Sequence, residues 1–147
     1  MPKKSFLPVV RELVRCYQAF ESHSAQHIRT MSLTPAQFDI VATLGNTDGM
    51  SFKELGEKTL ITKGTLTGVV DRLASKQLVT RSASPTDGRS QIVRLTAKGE
   101  DLFAQTFPAH VQHIGGVFAN FSVADLKQAE NTLRQLRDAI ERSGESE

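Results

Sequence analysis

Along most of this chain apolar residues return every three or four positions, the period of helices buried along one face. Residues 6–29 carry Phe6, Val9, Val10, Leu13, Val14, Tyr17 and Phe20 at that period, with Pro8 in a first turn that has no use for its missing N–H. Thr34, Pro35 and Gln37 supply an N-cap, a first helical residue and a capping-box partner, and Phe38, Val41 and Leu44 form the buried face of a helix ending at Gly45. A loop over 46–50 leads to Ser51 and Glu54, a second capping box that opens a short helix with Leu55 as its core residue and Leu60-Ile61 as its turn anchors. Residues 63–76 then bury Leu66, Val69, Val70 and Leu73, behind Thr62 as N-cap.

The pattern changes once. Runs 78–83 and 91–95 are strand-like and enclose Ser84-Pro85-Thr86-Asp87-Gly88, which is dense in turn formers. Thr96 caps a further helix from 97 toward 118, with Leu102, Phe103, Phe107, Val111, Ile114 and Phe118 inward. Pro108 and Gly115-Gly116 predict that it is kinked or ends early. Ser122 and Asp125 cap a last helix to 143, whose Leu126, Ala129, Leu133, Leu136 and Ile140 make a coiled-coil-like seam. Two helices and a tight turn followed by a ribbon make a winged helix. The expected fold is mainly α with a small two-stranded antiparallel wing, a winged helix-turn-helix on a helical dimerisation scaffold.

Opposite its apolar stripe, the 63–76 helix presents Gly64, Thr67, Gly68, Asp71 and Ser75, flanked by Lys63, Thr65 and Arg72. Glycine in a helix interior costs about 1 kcal/mol relative to alanine, so something must require it. Either the helix seats in a DNA major groove, where missing side chains allow close approach, or Gly64 lies in the first turn, where the penalty shrinks, and Gly68 relieves crowding against a neighbour. The adjoining ribbon favours the groove. Arg89 at its tip reaches for a phosphate or the adjacent minor groove, and Asp87 two residues away is placed to hold the guanidinium. The expected DNA contacts are therefore Thr62, Lys63, Gly64, Thr65, Thr67, Gly68, Arg72, Asp87 and Arg89.

The segments LTPAQFDIVATLG, ELGEKTLITKGTLTGVVDRL, LVTR and DGRSQIVRLTAKG, in this order and spacing, resemble the MarR family of bacterial winged-helix regulators. The similarity runs from Leu33 into the C-terminal helices, and the wing pattern D-x-R-x5-L-T is its sharpest part. One departure is Gln77, where the family commonly has glycine before the LV of the first wing strand; a left-handed backbone there is costly for a side-chain-bearing residue. The resemblance implies interlocked N- and C-terminal helices in a dimer, a repressor of transcription, and for many members a small aromatic effector between the dimer helices and the reading head. His23, His27 and Arg29 are the polar groups expected to contribute to such a site.

With 147 residues and 39% hydrophobic content the chain is expected to be one domain, 1–147, with a DNA-binding part over 33–99 and dimerisation parts over 5–30 and 100–143. The apolar stripes of the terminal helices are wider than so small a chain needs for its own core. Leu13, Tyr17, Leu126, Leu133, Leu136 and Ile140 are accordingly assigned to a subunit interface. A net charge of +2 argues nothing by itself. Its distribution does, because residues 51–99 hold nine basic against four acidic side chains, the footprint of a DNA-binding core on a more acidic scaffold. Apolar runs too short for a membrane span or a signal peptide make a cytoplasmic protein the expectation.

Candidate chemistry is sparse. There is no P-loop, G-x-S-x-G or H-E-x-x-H, so neither an enzyme nor a cofactor is expected. His23 and His27 are four apart and His110 and His113 three apart, so either pair offers two imidazoles to a metal, but only Glu21 stands close by as a further ligand and no metal site is assigned. The single cysteine, Cys16, lies in the first apolar stripe and reads as a small core hydrophobe or, alternatively, as a redox sensor. A rival to the regulator is a winged-helix module whose basic face meets an acidic protein; a metal- or redox-sensing regulator of the same fold is another.

Overall fold

The computed structural model describes residues 4–59 and 61–145. The chain runs α1 (Leu7–Thr30), α2 (Pro35–Leu44), β1 (Met50–Ser51), α3 (Phe52–Thr59), α4 (Lys63–Ser75), β2 (Val79–Ala83), β3 (Gln91–Leu95), α5 (Ala97–Val117) and α6 (Val123–Glu145). It divides into two compact units, Met1–His113 and Ile114–Glu147.

The helix starts are built by the capping residues the sequence offers. Thr34 Oγ1 accepts from the Gln37 N–H while Gln37 Oε1 accepts from the Thr34 N–H, both at 3.1 Å. Ser51 and Glu54 make the same reciprocal pair before α3, and Ser122 and Asp125 before α6. Thr96 Oγ1 accepts from the Gly99 N–H at 3.0 Å, opening α5. Of the turn anchors, Leu60 lies outside the described residues, whereas Ile61 packs on the main core.

That core gathers one face from every element of the reading head: Ile40, Val41 and Leu44 of α2, Leu55 of α3, Leu66, Val69, Val70 and Leu73 of α4, with Leu78, Val79 and Val93 from the ribbon. A smaller cluster joins Ile28, Leu33 and Phe38, tying the end of α1 to α2. The ribbon pairs Val79 with Leu95 through Ala83 with Gln91. It gains a third strand, because Met50 and Ser51, expected in or beside a loop, pair with Val93 and Ile92 in a sheet ordered β1-β3-β2. Gly49 makes this possible. Its φ of 106° suits glycine alone, and a Cβ there would stand 2.9 Å from the Val93 carbonyl oxygen.

α5 does not end early: it continues through Pro108 and ends at Val117, just beyond the glycine pair. Its buried residues are Gly99, Thr106 and His110, with Leu102 and Phe103 half-covered, whereas Phe107, Val111 and Phe118, expected inward, are exposed. A polar residue marks the true inner face at two of its turns, so apolar spacing pointed to the neighbouring stripe.

The terminal helices leave their apolar stripes uncovered in the single chain. Phe6, Val9, Val10, Leu13, Val14, Tyr17 and Phe20 of α1 are all exposed, as are Leu126, Leu133 and Ile140 of α6, while Leu136 is half-buried. α6 has no buried residue at all. Cys16 is likewise exposed, which corrects its reading as a core hydrophobe. Among the described residues no helix is long and apolar enough to cross a membrane.

Candidate nucleic-acid interface

α4 is held from behind by four buried side chains, Leu66, Val69, Val70 and Leu73, which leaves its outer face exposed. Lys63, Gly64, Thr65, Thr67, Gly68 and Arg72 are exposed. A Cβ on Gly64 or Gly68 would meet no atom within 4 Å. The open space removes the crowding explanation within this chain. Thr62 has the extended backbone of an N-cap, and its carbonyl accepts from the N–H groups of Thr65 and Leu66. Its hydroxyl makes no cap, however; it donates to the Thr65 hydroxyl at 3.1 Å, so the predicted side-chain capping bond is replaced by a pair of linked hydroxyls on the exposed first turn.

The far end of α4 is fixed with unusual care. Gln77 adopts φ 63°, the left-handed conformation that glycine takes without cost. The Leu78 N–H returns to the Leu73 carbonyl at 3.0 Å and the Gln77 N–H to Ala74 at 2.9 Å, a Schellman closure with Leu73 and Leu78 both buried. Thr96 Oγ1 donates to the Gln77 carbonyl at 2.6 Å and Lys98 Nζ to that of Lys76 at 3.0 Å, so the start of α5 clamps the end of α4.

Arg81 joins helix to wing, a role the sequence reading did not assign. From β2 its Nη1 donates to Asp71 Oδ1 of α4, and its guanidinium lies over the Phe52 ring of α3, 5.1 Å from the centroid. Three elements thus share one side chain. The available signal was Asp71 itself, a lone carboxylate on a face that otherwise carries glycines, hydroxyls and the basic Lys63 and Arg72.

At the tip, Asp87 does something other than hold Arg89. Its Oδ1 accepts from the Arg89 backbone N–H at 3.0 Å and its Oδ2 from the Ser90 hydroxyl at 3.3 Å, while Ser84 Oγ accepts from the N–H groups of Thr86 and Asp87. Asp87 is the builder of the turn, because backbone donors lie closer to its short side chain than a mobile guanidinium does. Arg89 is exposed, and its guanidinium has no ion-pair partner among the described residues. Arg94, by contrast, is committed to the Asp48 carbonyl and the Ser82 hydroxyl.

The effector candidates do not converge. Arg29 lines an open cleft of about 350 Å³ with Gln18, Glu21, Ser22, Ala25 and Pro35. His23 and His27 point elsewhere, and meet His110 and His113, so the two pairs read separately in the sequence form one cluster. The imidazoles stack in the order His23, His113, His27, His110, with centroids 4.4, 4.3 and 5.1 Å apart. His27 Nδ1 lies 2.9 Å from His110 Nδ1, and His110 Nε2 lies 3.1 Å from Ser24 Oγ. Burial first, then the charges of His27, His113 and His23, hold His110 below its ordinary value of 6.5; desolvation, then His27 and His23, do the same for His113. Among the described residues no group of three or more His, Cys, Asp or Glu is arranged to hold a metal ion. On α2, burial raises Asp39 to about 6.

The sequence pattern of the MarR family matches residues 33–91, the span of α2 to the start of β3. The HTH-type transcriptional regulator MhqR of Bacillus subtilis is 31% identical over 124 residues, covering 84% of this chain and 86% of that protein. The HTH-type transcriptional repressor NicR of Pseudomonas putida is 30% identical over 135 residues, covering 86% and 82%. Among solved structures, Bordetella bronchiseptica BpsR, whose DNA binding is regulated by 6-hydroxynicotinic acid, superposes with a TM-score of 0.77 at 28% identity over 88% of this chain and 98% of its own.

Proposed function

Since this chain belongs to the MarR family of winged helix-turn-helix transcriptional regulators, we propose that it is a ligand-responsive repressor that binds a pseudo-palindromic operator as a homodimer. The observation that carries the reading is the outer face of α4: two glycines with nothing before them, hydroxyls and basic side chains around them, and an unpaired Arg89 on the adjoining wing. Such a face costs helix stability and repays it only when another surface approaches closely. Each subunit places α4 in a major groove and Arg89 on a phosphate or in a narrow minor groove beside it. Two-fold symmetry then sets the half-sites about one helical turn apart.

Dimerisation draws its support from the uncovered stripes of α1 and α6, with Leu13, Tyr17, Leu126, Leu133, Leu136 and Ile140 as interface residues. Repression is the activity named for NicR, and 6-hydroxynicotinic acid, the regulator of BpsR, indicates a small aromatic acid as effector class. The Arg29 cleft on α1, with its single guanidinium, is the surface offered for the carboxylate. The test is a mobility-shift assay with duplexes from upstream of the chain's own coding region, then a panel of hydroxylated aromatic acids. The expected result is a specific complex over random duplex, released by one class of acid and insensitive to it in Arg29→Ala. A folded protein that shows no preference for any upstream duplex overturns the regulator reading in favour of a protein-binding module.

A further inference from the structure

The four stacked imidazoles lie outside the DNA-facing surface and outside the Arg29 cleft, and their arrangement is selective for a low number of protons. The contact between His27 Nδ1 and His110 Nδ1 requires one hydrogen between the two nitrogens. With none, two lone pairs face each other; with two, two N–H groups do. His23 Nε2 is buried without a hydrogen-bond partner among the described residues, so the closed column leaves this nitrogen unsatisfied. The column alternates between helices, His23 and His27 from α1 with His113 and His110 from α5, so charge on any two neighbours repels across the helix junction.

Among the described residues, nothing adjacent is placed to neutralise such charge. The charges felt by His110 and His113 are those of the other histidines. From α1 the cluster also meets Ser24, and the nearby Glu21 and Arg29 are exposed and line the separate cleft. From α2 it meets the Phe38 ring, edge-on to His110 at 4.7 Å, with Asp39 next along that helix. The carboxylates of α5 itself, Glu100 and Asp101, precede His110 by more than two turns. Phe38 is the link to function, because it belongs to the cluster with Ile28 and Leu33 that seats α2, and α2 carries Ile40, Val41 and Leu44 into the core beneath α4.

We propose that this imidazole column is a proton-operated latch, closed when it carries few protons and opened by acid, so that acidification parts α1 from α5, unseats Phe38 and loosens the DNA-reading head. The direction follows from linkage: a histidine held below its ordinary value favours the closed form above about 6.5, and that contribution is lost as pH falls through its lowered value. For each extra proton taken up on opening, the open population rises about tenfold per pH unit.

The role of the latch in DNA binding rests on the regulator reading, so the test has two arms. The first needs no DNA. Urea midpoints of the full chain are measured from pH 8 to pH 5 for wild type, His113→Phe and His110→Gln; all retain Asp39, so its own titration cancels in the comparison. Wild type should lose stability steeply below pH 6.5, and His113→Phe, which keeps a stacked ring without a charge, should remain folded with a flatter profile. Parallel profiles for wild type and both variants would overturn the latch. The second arm follows affinity for the upstream duplex over the same range. Adding up to four positive charges should strengthen DNA binding by simple electrostatics; the latch requires the reverse, a loss of at least tenfold by pH 5.5 that His113→Phe lessens. A wild-type affinity that rises with acid would overturn the coupling to the reading head even if the first arm succeeds. Failure of all duplex binding at pH 8 would instead count against the regulator reading. A shift of the urea midpoint by micromolar zinc at pH 7.5, abolished in His110→Gln, would also overturn the proposal, since the cluster would then be a metal site.

Discussion

Gly68 offers the sharpest separation between folding and DNA binding. It is the sixth residue of α4, well inside the helix, and exposed, so the full interior penalty of glycine applies. A Cβ would meet nothing within 4 Å, so replacing it adds no clash inside the chain. Gly68→Ala should therefore stabilise the fold by about 0.8 to 1 kcal/mol, and Gly68→Leu by slightly less. For a chain of this size the midpoint of thermal unfolding should rise by about 3 °C. On DNA the sign reverses. A leucine side chain would project from the face proposed to meet the groove, and a loss of only 1.4 kcal/mol is already tenfold. The assay is a thermal melt beside a fluorescence-anisotropy titration on the preferred upstream duplex. Operator affinity of Gly68→Leu within twofold of wild type would refute the groove placement, and a lowered melting temperature for Gly68→Ala would refute the claim that the space before Gly68 is open.

Three further outcomes follow from the same geometry. Arg81→Ala removes an exposed ion pair and a cation–π contact, worth about 1 kcal/mol or less to stability; its effect on DNA affinity should exceed that, and should largely vanish in an Arg89→Ala background, since a wing that makes no contact has nothing to lose by misalignment. Replacing Leu133 and Leu136 by lysine should abolish dimerisation and DNA binding together while α6 stays helical, read by sedimentation and circular dichroism. Asp39 is raised to about 6 by burial, so its ionisation destabilises the fold as pH climbs from 4 toward 7; Asp39→Asn should raise stability at pH 7 by about 1 kcal/mol, after discounting for its solvent-exposed half, and leave it nearly unchanged at pH 4.

What the sequence made legible was whatever a local rule governs. The faces of α2 and α4, the capping pairs Thr34–Gln37 and Ser51–Glu54, and the ribbon around 84–88 all follow from spacing and turn chemistry within a few residues. β1 escaped because two residues have no period, and its partner β3 lies some forty residues on. The inner face of α5 escaped because Thr106 and His110, both polar, hold positions that apolar spacing assigns to the core. Asp87 was placed correctly but given the wrong partner, since a D-x-R pattern does not say whether the carboxylate takes the arginine's side chain or its backbone. The histidine column is the clearest limit. Its members are more than eighty residues apart across the two pairs, and only the packing of α1 on α5 reveals that two pairs are one cluster.

The central claim is that two copies of α4 read two successive major grooves. Dimethyl sulfate footprinting tests it directly, because the reagent modifies guanine N7 in the major groove and adenine N3 in the minor groove. With wild-type protein on its preferred upstream duplex, the account predicts two patches of guanine N7 protection about 10 base pairs apart, flanked by adenine N3 protection that disappears in Arg89→Ala if the wing enters the minor groove. A bound duplex with a single protected patch, or with guanine N7 fully reactive throughout, would contradict it.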